Sequence, residues 1–125
     1  AGYTLQEAAS PLVDASAEKP RPREREAALE RFASGDAAVL VTTDAALRSL
    51  EPPNVAHVIG IDLPSSMQEY AGRLRFTGRH GHSGLCTTLV GDDSPAAVLA
   101  ELVSTLRVCG HPVPRWLDAM VSTRR

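Results

Sequence analysis

The chain has 125 residues, of which 43% are hydrophobic, so it is long enough for one domain with its own core. No apolar run approaches the roughly 20 residues of a membrane-spanning helix, and residues 1–9 lack the layout of a secretory signal. The net charge of −2 excludes a strongly basic, non-specific nucleic-acid binder. Two cysteines make no disulfide framework, and we expect a soluble protein of the cell interior.

Short apolar runs alternate along the chain with stretches of helical periodicity. The predicted strands are a weak one at residues 11–15 and clearer ones at 38–42, 57–61 and 85–90. Strands that alternate with helices predict an α/β fold with a mainly parallel sheet. Ligands of such folds meet the loops at the carboxyl ends of the strands, and the loops of interest here are those after Thr42, after Ile61 and before Leu85.

The first two helices have clear sequence boundaries. Pro22 suits a first helical turn and Gly35 stops that helix, whose predicted buried stripe is Ala28, Leu29 and Phe32. Ser66 and Glu69 have the spacing of a capping box, which predicts that the next helix begins there.

Two further helices follow the last predicted strand. Ser94 and Pro95 predict an N-cap with a first-turn proline, and Gly110 closes the helix. Its apolar positions recur at helical spacing: Val98, Leu99, Leu102, Val103 and Leu106. A last short helix is predicted over residues 114–121, with an anchoring face of Trp116, Leu117 and Met120.

Local motifs indicate neither an enzyme nor a metal site. Residues 77–84 carry a G-x-x-G-x-x-G spacing, but a helix precedes them and a strand follows, the reverse of a dinucleotide loop. The soft ligands match no standard zinc spacing: His80, His82, Cys86, Cys109 and His111. The chain contains no P-loop and no G-x-S-x-G elbow.

Five ordered blocks of sequence follow a known pattern. Residues 39–51 resemble helicase motif V, V-L-V-A-T-D-V-A-A-R-G-L-D, and residues 54–65 resemble N-V-x-H-V-I-N-x-D-L-P-S. Residues 70–79 fall on motif VI, Y-V-H-R-I-G-R-T-G-R, and residues 24–35 are similar to the helix R-E-x-A-L-x-x-F-x-x-G. Residues 102–117 resemble the Vasa-type tail, L-V-x-x-L-x-x-x-G-Q-x-V-P-x-W-L.

On these blocks the chain resembles the second RecA-like lobe of a DEAD-box RNA helicase of the Vasa type. The resemblance implies a P-loop NTPase-like lobe, with a mainly parallel sheet flanked by helices on both faces. It also implies one domain over residues 1–125, a fragment of a larger protein, with a tail helix at 113–125. The first lobe, which holds the P-loop and the D-E-A-D carboxylates, would belong to the same polypeptide.

The resemblance assigns motif VI to catalysis. Its arginines stabilise charge on the transferred phosphoryl group, an effect on the order of 10³–10⁵ in rate. Arg73 stands at the first finger position and Phe76 at the second, where a phenyl ring cannot donate to phosphate. Arg79, the last arginine of the motif, is assigned with them.

Other assignments concern nucleotide and RNA. Arg48 and Glu51 fall on nucleotide-binding positions, Glu51 replacing an aspartate that meets the ribose. Arg25 and the turn formed by Thr43 and Asp44 fall on RNA-binding positions. Further family residues are replaced: the motif VI histidine by Gly72, a motif V glycine by Ser49 and an RNA-contacting glutamine by Pro22.

Three functions remain open on the sequence. The first is a catalytically degenerate lobe that binds RNA or protein in RNA metabolism or germ-granule assembly. The second is the second lobe of an active RNA-dependent ATPase, and the third is an interaction domain without nucleic-acid contact. We expect no cofactor in the isolated lobe, ATP and Mg²⁺ only with an intact first lobe, no metal site and no membrane partner. The expected location is the cytoplasm, within RNA or germ granules.

Overall fold

The computed structural model of the chain describes residues 13–14, 22–48 and 54–124. The chain divides into two compact units, Ala1–Asn54 and Val55–Arg125. None of the helices in these ranges combines the length and the apolar character needed to cross a bilayer.

The first unit contains a strand–helix–strand arrangement. β1 (Val13–Asp14) pairs in parallel with β2 (Leu40–Val41), with Val13 opposite Leu40, and α1 (Pro22–Ser34) connects them. β2 is shorter than the predicted strand at 38–42; within the part of the chain that the structure describes, Leu40 and Val41 pair with β1. A short helix, α2 (Asp44–Leu47), follows β2.

The predicted boundaries of α1 are confirmed. The helix begins at Pro22 and ends before Gly35, whose φ of +87° is readily adopted only by a residue without Cβ. The amide of Ala37 donates to the carbonyl of Arg31 over 3.0 Å and closes the last turn. Ala28 and Ala37 are buried, with Phe32 and Leu40 packed against them.

The second unit begins with a parallel pair of strands. β3 (His57–Gly60) pairs with β4 (Leu85–Thr88), in a register that sets His57 opposite Leu85 and Gly60 opposite Thr88. Between them lies α3 (Met67–Leu74), which packs on β3. Both strands end earlier than predicted, because Asp62 turns the chain with a φ of +69° and a Gly91–Ser94 turn follows β4.

Two helices complete the second unit and provide most of its core. α4 (Ala96–Val108) packs against α5 (Arg115–Thr123), and Arg107 Nη2 lies 2.7 Å from Asp118 Oδ1 across the two helices. Gly110 ends the α4 region with a φ of +75°, as predicted. The buried cluster consists of Leu63, Val98, Leu99, Leu102, Val103, Leu117 and Val121.

Two sequence predictions about these helices are wrong. Ser94 does not cap α4: Pro95 holds the N-cap position without a side-chain bond, while Ser94 Oγ accepts from the amide of Gly91 over 3.1 Å. Trp116 is not part of the anchoring face of α5, since it is 55% exposed, whereas Leu117 and Val121 are buried. Met120 is partly buried against the core, as predicted.

Candidate functional site

The segment assigned to motif VI begins on a well-capped helix. Ser66 Oγ accepts from the amide of Glu69 over 3.2 Å, so half of the predicted capping box is present. The carboxylate of Glu69 instead accepts from the hydroxyl of Ser65 over 2.9 Å. These contacts fix the start of α3, whose last turn carries Arg73.

Arg73 points back onto its own unit. Its Nη1 donates to the backbone carbonyl of Asp62 over 2.8 Å, and the residue is half-buried. The same nitrogen lies against Gly60, only 2.8 Å from the place where a Cβ on that glycine would stand. The arginine that the sequence places at the first finger position therefore contacts the end of β3 and the turn that follows it.

Phe76 is a core residue. Its side chain is 4% exposed, and its carbonyl accepts from the amide of Val55 over 2.8 Å. The guanidinium of the preceding Arg75 lies over the ring. At this position a buried aromatic side chain replaces the cation of the motif.

Arg79 lies in the loop between α3 and β4, which winds through left-handed conformations. Gly78, His80 and Gly81 have φ angles of +67°, +54° and +77°. The amide of His82 donates to the carbonyl of Arg79 over 3.0 Å, and Arg79 is half-buried. Unlike Phe76, this position retains its guanidinium.

The candidate RNA-binding turn lies in the first unit, at the start of α2. Thr43 Oγ1 accepts from the amide of Ala46 over 3.3 Å and caps the helix, while Asp44 provides an acidic residue in its first turn. Arg48 is exposed at the other end of this single turn, and its amide donates to the carbonyl of Asp44 over 3.3 Å. Thr43, Asp44 and Arg48 thus come together on one short element.

The remaining candidate residues of the first unit either lie on another element than α2 or fall outside the described residues. Arg25 is half-buried on α1, with its Nε atom buried. Glu51 and Ser49 lie outside the described residues, and the same holds for the side chain of Pro22, although its backbone begins α1.

Titratable and metal-ligating side chains do not gather into a metal site within the described residues. Within residues 13–14, 22–48 and 54–124, His, Cys, Asp and Glu form no group of three or more that could hold a metal ion. Cys86 is a half-buried free thiol on β4 and Cys109 an exposed one after α4. Burial raises the pKa of Tyr70 above its ordinary value, and the neighbouring Cys86 raises it further.

More than half of the sequence matches the model of a known family. Residues 13–81 fit the model described as the helicase conserved C-terminal domain, which is more than half of the chain. The chain belongs to this helicase family. The matched range includes every candidate residue from Arg25 to Arg79, whereas the tail helix predicted at 113–125 lies outside it.

The fold of this helicase domain is shown by a solved structure. The yeast DEAD-box splicing factor Prp28 superposes with a TM-score of 0.77 at 20% sequence identity, over 89% of this chain and 25% of that one. The superposition confirms the predicted RecA-like α/β lobe, and both described strand pairs are parallel. The chain spans about a quarter of the length of Prp28.

Sequence reasoning missed three residues that shape the motif VI region of this helicase domain. Gly60 makes room for Arg73, and the signal was available, because the pattern at 54–65 has asparagine where this chain has Gly60. Thr77 Oγ1 donates to the carbonyls of Val55 and Ala56, and Gly84 packs directly on Thr77. Thr77 matches the threonine of the motif VI pattern, but the letter does not show which carbonyls its hydroxyl contacts, and Gly84 lies outside that pattern.

Proposed function

We propose that the chain is the second lobe of a divergent DEAD-box RNA helicase of the Vasa type, and that it binds RNA without supporting ATP turnover. The subfamily rests on the tail pattern at residues 102–117 and the loss of turnover on motif VI. In this proposal the first RecA-like lobe of the same polypeptide is the partner across the cleft. ATP and Mg²⁺ would bind only if that lobe retains its P-loop.

The buried ring of Phe76 carries the proposal. A side chain that is only 4% exposed cannot be turned outward without leaving a cavity. A phenyl ring also has no donor for a phosphate oxygen. Loss of an arginine finger lowers the rate of phosphoryl transfer on the order of 10³–10⁵, so this position alone would silence turnover.

The neighbouring arginines do not replace it in the described geometry. Arg75 lies over the ring of Phe76, 4.8 Å from its centroid, and Arg73 bonds to the carbonyl of Asp62. Arg79 keeps its place in the loop, but one arginine cannot supply both fingers. Together these contacts favour a lobe that has kept its shape and lost part of its phosphate-binding set.

The first unit supports RNA as the ligand. The hydroxyl of Thr43 accepts from the amide of Ala46 and caps α2, which leaves its O–H proton able to donate to a phosphate oxygen of RNA at this turn. Arg48 is exposed at the end of α2, and Arg25 on α1 holds the arginine of the family's RNA-contacting helix. Guanidinium groups suit phosphate oxygens.

An RNA titration tests this function. Fluorescence anisotropy of a labelled single-stranded RNA should show binding whose logarithmic affinity falls linearly with the logarithm of salt concentration. Arg25→Ala should lower that slope by about one phosphate contact. Arg107→Ala is the matched control, because Arg107 is bonded to Asp118 between α4 and α5 and should leave the slope unchanged. A chain that binds no RNA at low salt would instead favour a domain for protein contacts.

The rival function is the second half of an active RNA-dependent ATPase, and the retained Arg79 favours it. It is tested on the longer polypeptide that contains both lobes. We expect RNA-stimulated ATP hydrolysis to be absent. Hydrolysis that depends on RNA and disappears with Arg79→Ala would refute the inactive function and establish the ATPase.

The proposed location is the cytoplasm, in RNA or germ granules, on the strength of the same Vasa-type tail. A fluorescent fusion of the longer polypeptide should concentrate in RNA granules and disperse after RNase treatment. A uniform distribution before RNase treatment would contradict it.

A further inference from the structure

The side chain of Arg73, in the motif VI segment, lies where a side chain on residue 60 would stand. Gly60 is buried at the end of β3, and a Cβ built on it would stand 2.8 Å from Arg73 Nη1, closer than non-bonded atoms approach. The next neighbour of that Cβ would be Thr88 Oγ1, which is 3.4 Å away and so close to an ordinary contact distance. The guanidinium of Arg73 therefore fills the space left by the missing side chain of Gly60.

The same guanidinium makes a polar contact that depends on this position. Nη1 donates to the carbonyl of Asp62, where the chain turns with a φ of +69° between β3 and α3. A charged donor on a main-chain carbonyl is a stronger hydrogen bond than a neutral one. The contact joins the last turn of α3 to the connection that precedes α3.

We propose that Arg73 is a positioning residue that locks α3 to the turn after β3, and that Gly60 is the residue that admits it. Arg73 is then committed within its own unit and is not a phosphate-binding finger. Its effect is to fix the end of α3, from which the chain continues through Phe76 to the loop of Arg79. The inference goes beyond RNA binding and holds whether or not the chain binds RNA.

If Arg73 locks α3 in this way, the effects of Gly60→Ala and Arg73→Ala should not add in the double variant. Gly60 has no left-handed φ, so alanine there is not strained by its backbone, and its only close neighbour is the flexible end of Arg73. Gly60→Ala should therefore act by expelling the guanidinium and should reproduce Arg73→Ala. Once Arg73 is alanine, the added methyl group has nothing to displace and should change little.

Hydrogen exchange measured by mass spectrometry tests the lock on the chain itself. Gly60→Ala and Arg73→Ala should each speed exchange of residues 60–66 and of α3 by about three- to tenfold, and the double variant no more than either. Exchange in α4 and α5 should not change. Gly72→Ala is the matched control, because no atom lies within 4 Å of a Cβ at that position in α3.

The outcomes separate the lock from other roles. Effects of the two substitutions that multiply in the double variant, or an Arg73→Ala variant with unchanged exchange, would overturn it. If Gly60→Ala fails to fold, the lock requires that adding Arg73→Ala restores folding, and a double variant that stays unfolded counts against it. In the RNA titration, Arg73→Ala should leave the salt slope unchanged. A slope lowered by one phosphate would assign Arg73 to RNA and refute the inference, and the exchange experiment decides it even if RNA binding is absent.

Discussion

The guanidinium of Arg75 lies 4.8 Å from the centroid of the Phe76 ring, within the range of a cation–π contact. The ring itself is buried in the second unit. An exposed arginine thus covers an aromatic side chain at the point where the helicase pattern would place a second cation. The pair explains how the segment tolerates the change, because the ring is buried and the guanidinium of Arg75 lies over it.

Substitution of Phe76 should show that this position serves packing. Phe76→Ala should lower the free energy of unfolding by about 3–5 kcal/mol through the cavity it leaves. Phe76→Leu leaves a smaller cavity and should lower the free energy of unfolding by about half that amount. Phe76→Arg should also destabilise the chain, because a charge without a partner would enter the core. Urea unfolding monitored by circular dichroism measures all three. A stable Phe76→Arg variant would mean that the position can open towards the cleft.

Helix boundaries could be predicted from the sequence because single residues set them. Pro22 begins α1, Gly35 ends it, and Ser66 caps α3 through its own hydroxyl. Which of two adjacent apolar residues turns inward is a different problem. Trp116 and Leu117 differ by about 100° around α5, and the packing of α4 against α5 decides between them.

The functional positions show the same limit. The motif pattern located Arg73, Phe76 and Arg79, but it could not show that Arg73 bonds to a carbonyl of its own unit. Every residue has a backbone carbonyl, so such an acceptor leaves no mark in the sequence. The role of Gly60 is likewise set by the path of another side chain.

The two neighbours on α5 offer a matched comparison of buried and exposed apolar side chains. Leu117 is 4% exposed and Trp116 is 55% exposed. Leu117→Ala should lower the free energy of unfolding by about 2–5 kcal/mol, whereas Trp116→Ala should cost less than about 1 kcal/mol despite the larger side chain. Chemical denaturation checks both. A larger loss for Trp116→Ala would place the tryptophan, and not the leucine, against α4.

Tyr70 should make stability fall at alkaline pH. Its folded-state pKa is raised, first by burial and then by the electrostatic effect of the neighbouring Cys86, so the unfolded chain ionises first, at about pH 10. The stabilising contribution is complete below that value and is lost as the pH rises through the folded-state pKa. Relative to wild type, Tyr70→Phe should lose less stability between about pH 9 and 11.

Unfolding curves at a series of alkaline pH values measure this difference, and a Cys86→Ala background provides the control. Removing the Cys86 side chain should reduce the alkaline loss of stability without abolishing it, because burial is the larger cause of the raised Tyr70 pKa. Identical pH profiles for wild type and Tyr70→Phe would contradict the raised pKa.

Gly84 should be the least replaceable glycine of the loop between α3 and β4. A Cβ there would run into Thr77 Oγ1, the amide nitrogen of Gly78 and, at 2.9 Å, Thr77 Cβ. The amide belongs to the main chain, so no side-chain rotation relieves the clash. Thr77 is in turn held by the carbonyls of Val55 and Ala56. Gly84→Ala should therefore lower the free energy of unfolding by about 1–3 kcal/mol or more.

Gly81→Ala separates this steric cost from a conformational one. Gly81 has a φ of +77° but open space around it, so alanine there should cost about 1–2 kcal/mol from the backbone alone. Gly84→Ala should also speed hydrogen exchange from residue 77 to 84, the loop that carries Arg79, while Gly81→Ala should affect only its own turn. If Gly84→Ala and Gly81→Ala lower the free energy of unfolding equally and change hydrogen exchange equally, then Thr77 and Gly78 move aside. The base of the loop would then not hold Arg79 in place.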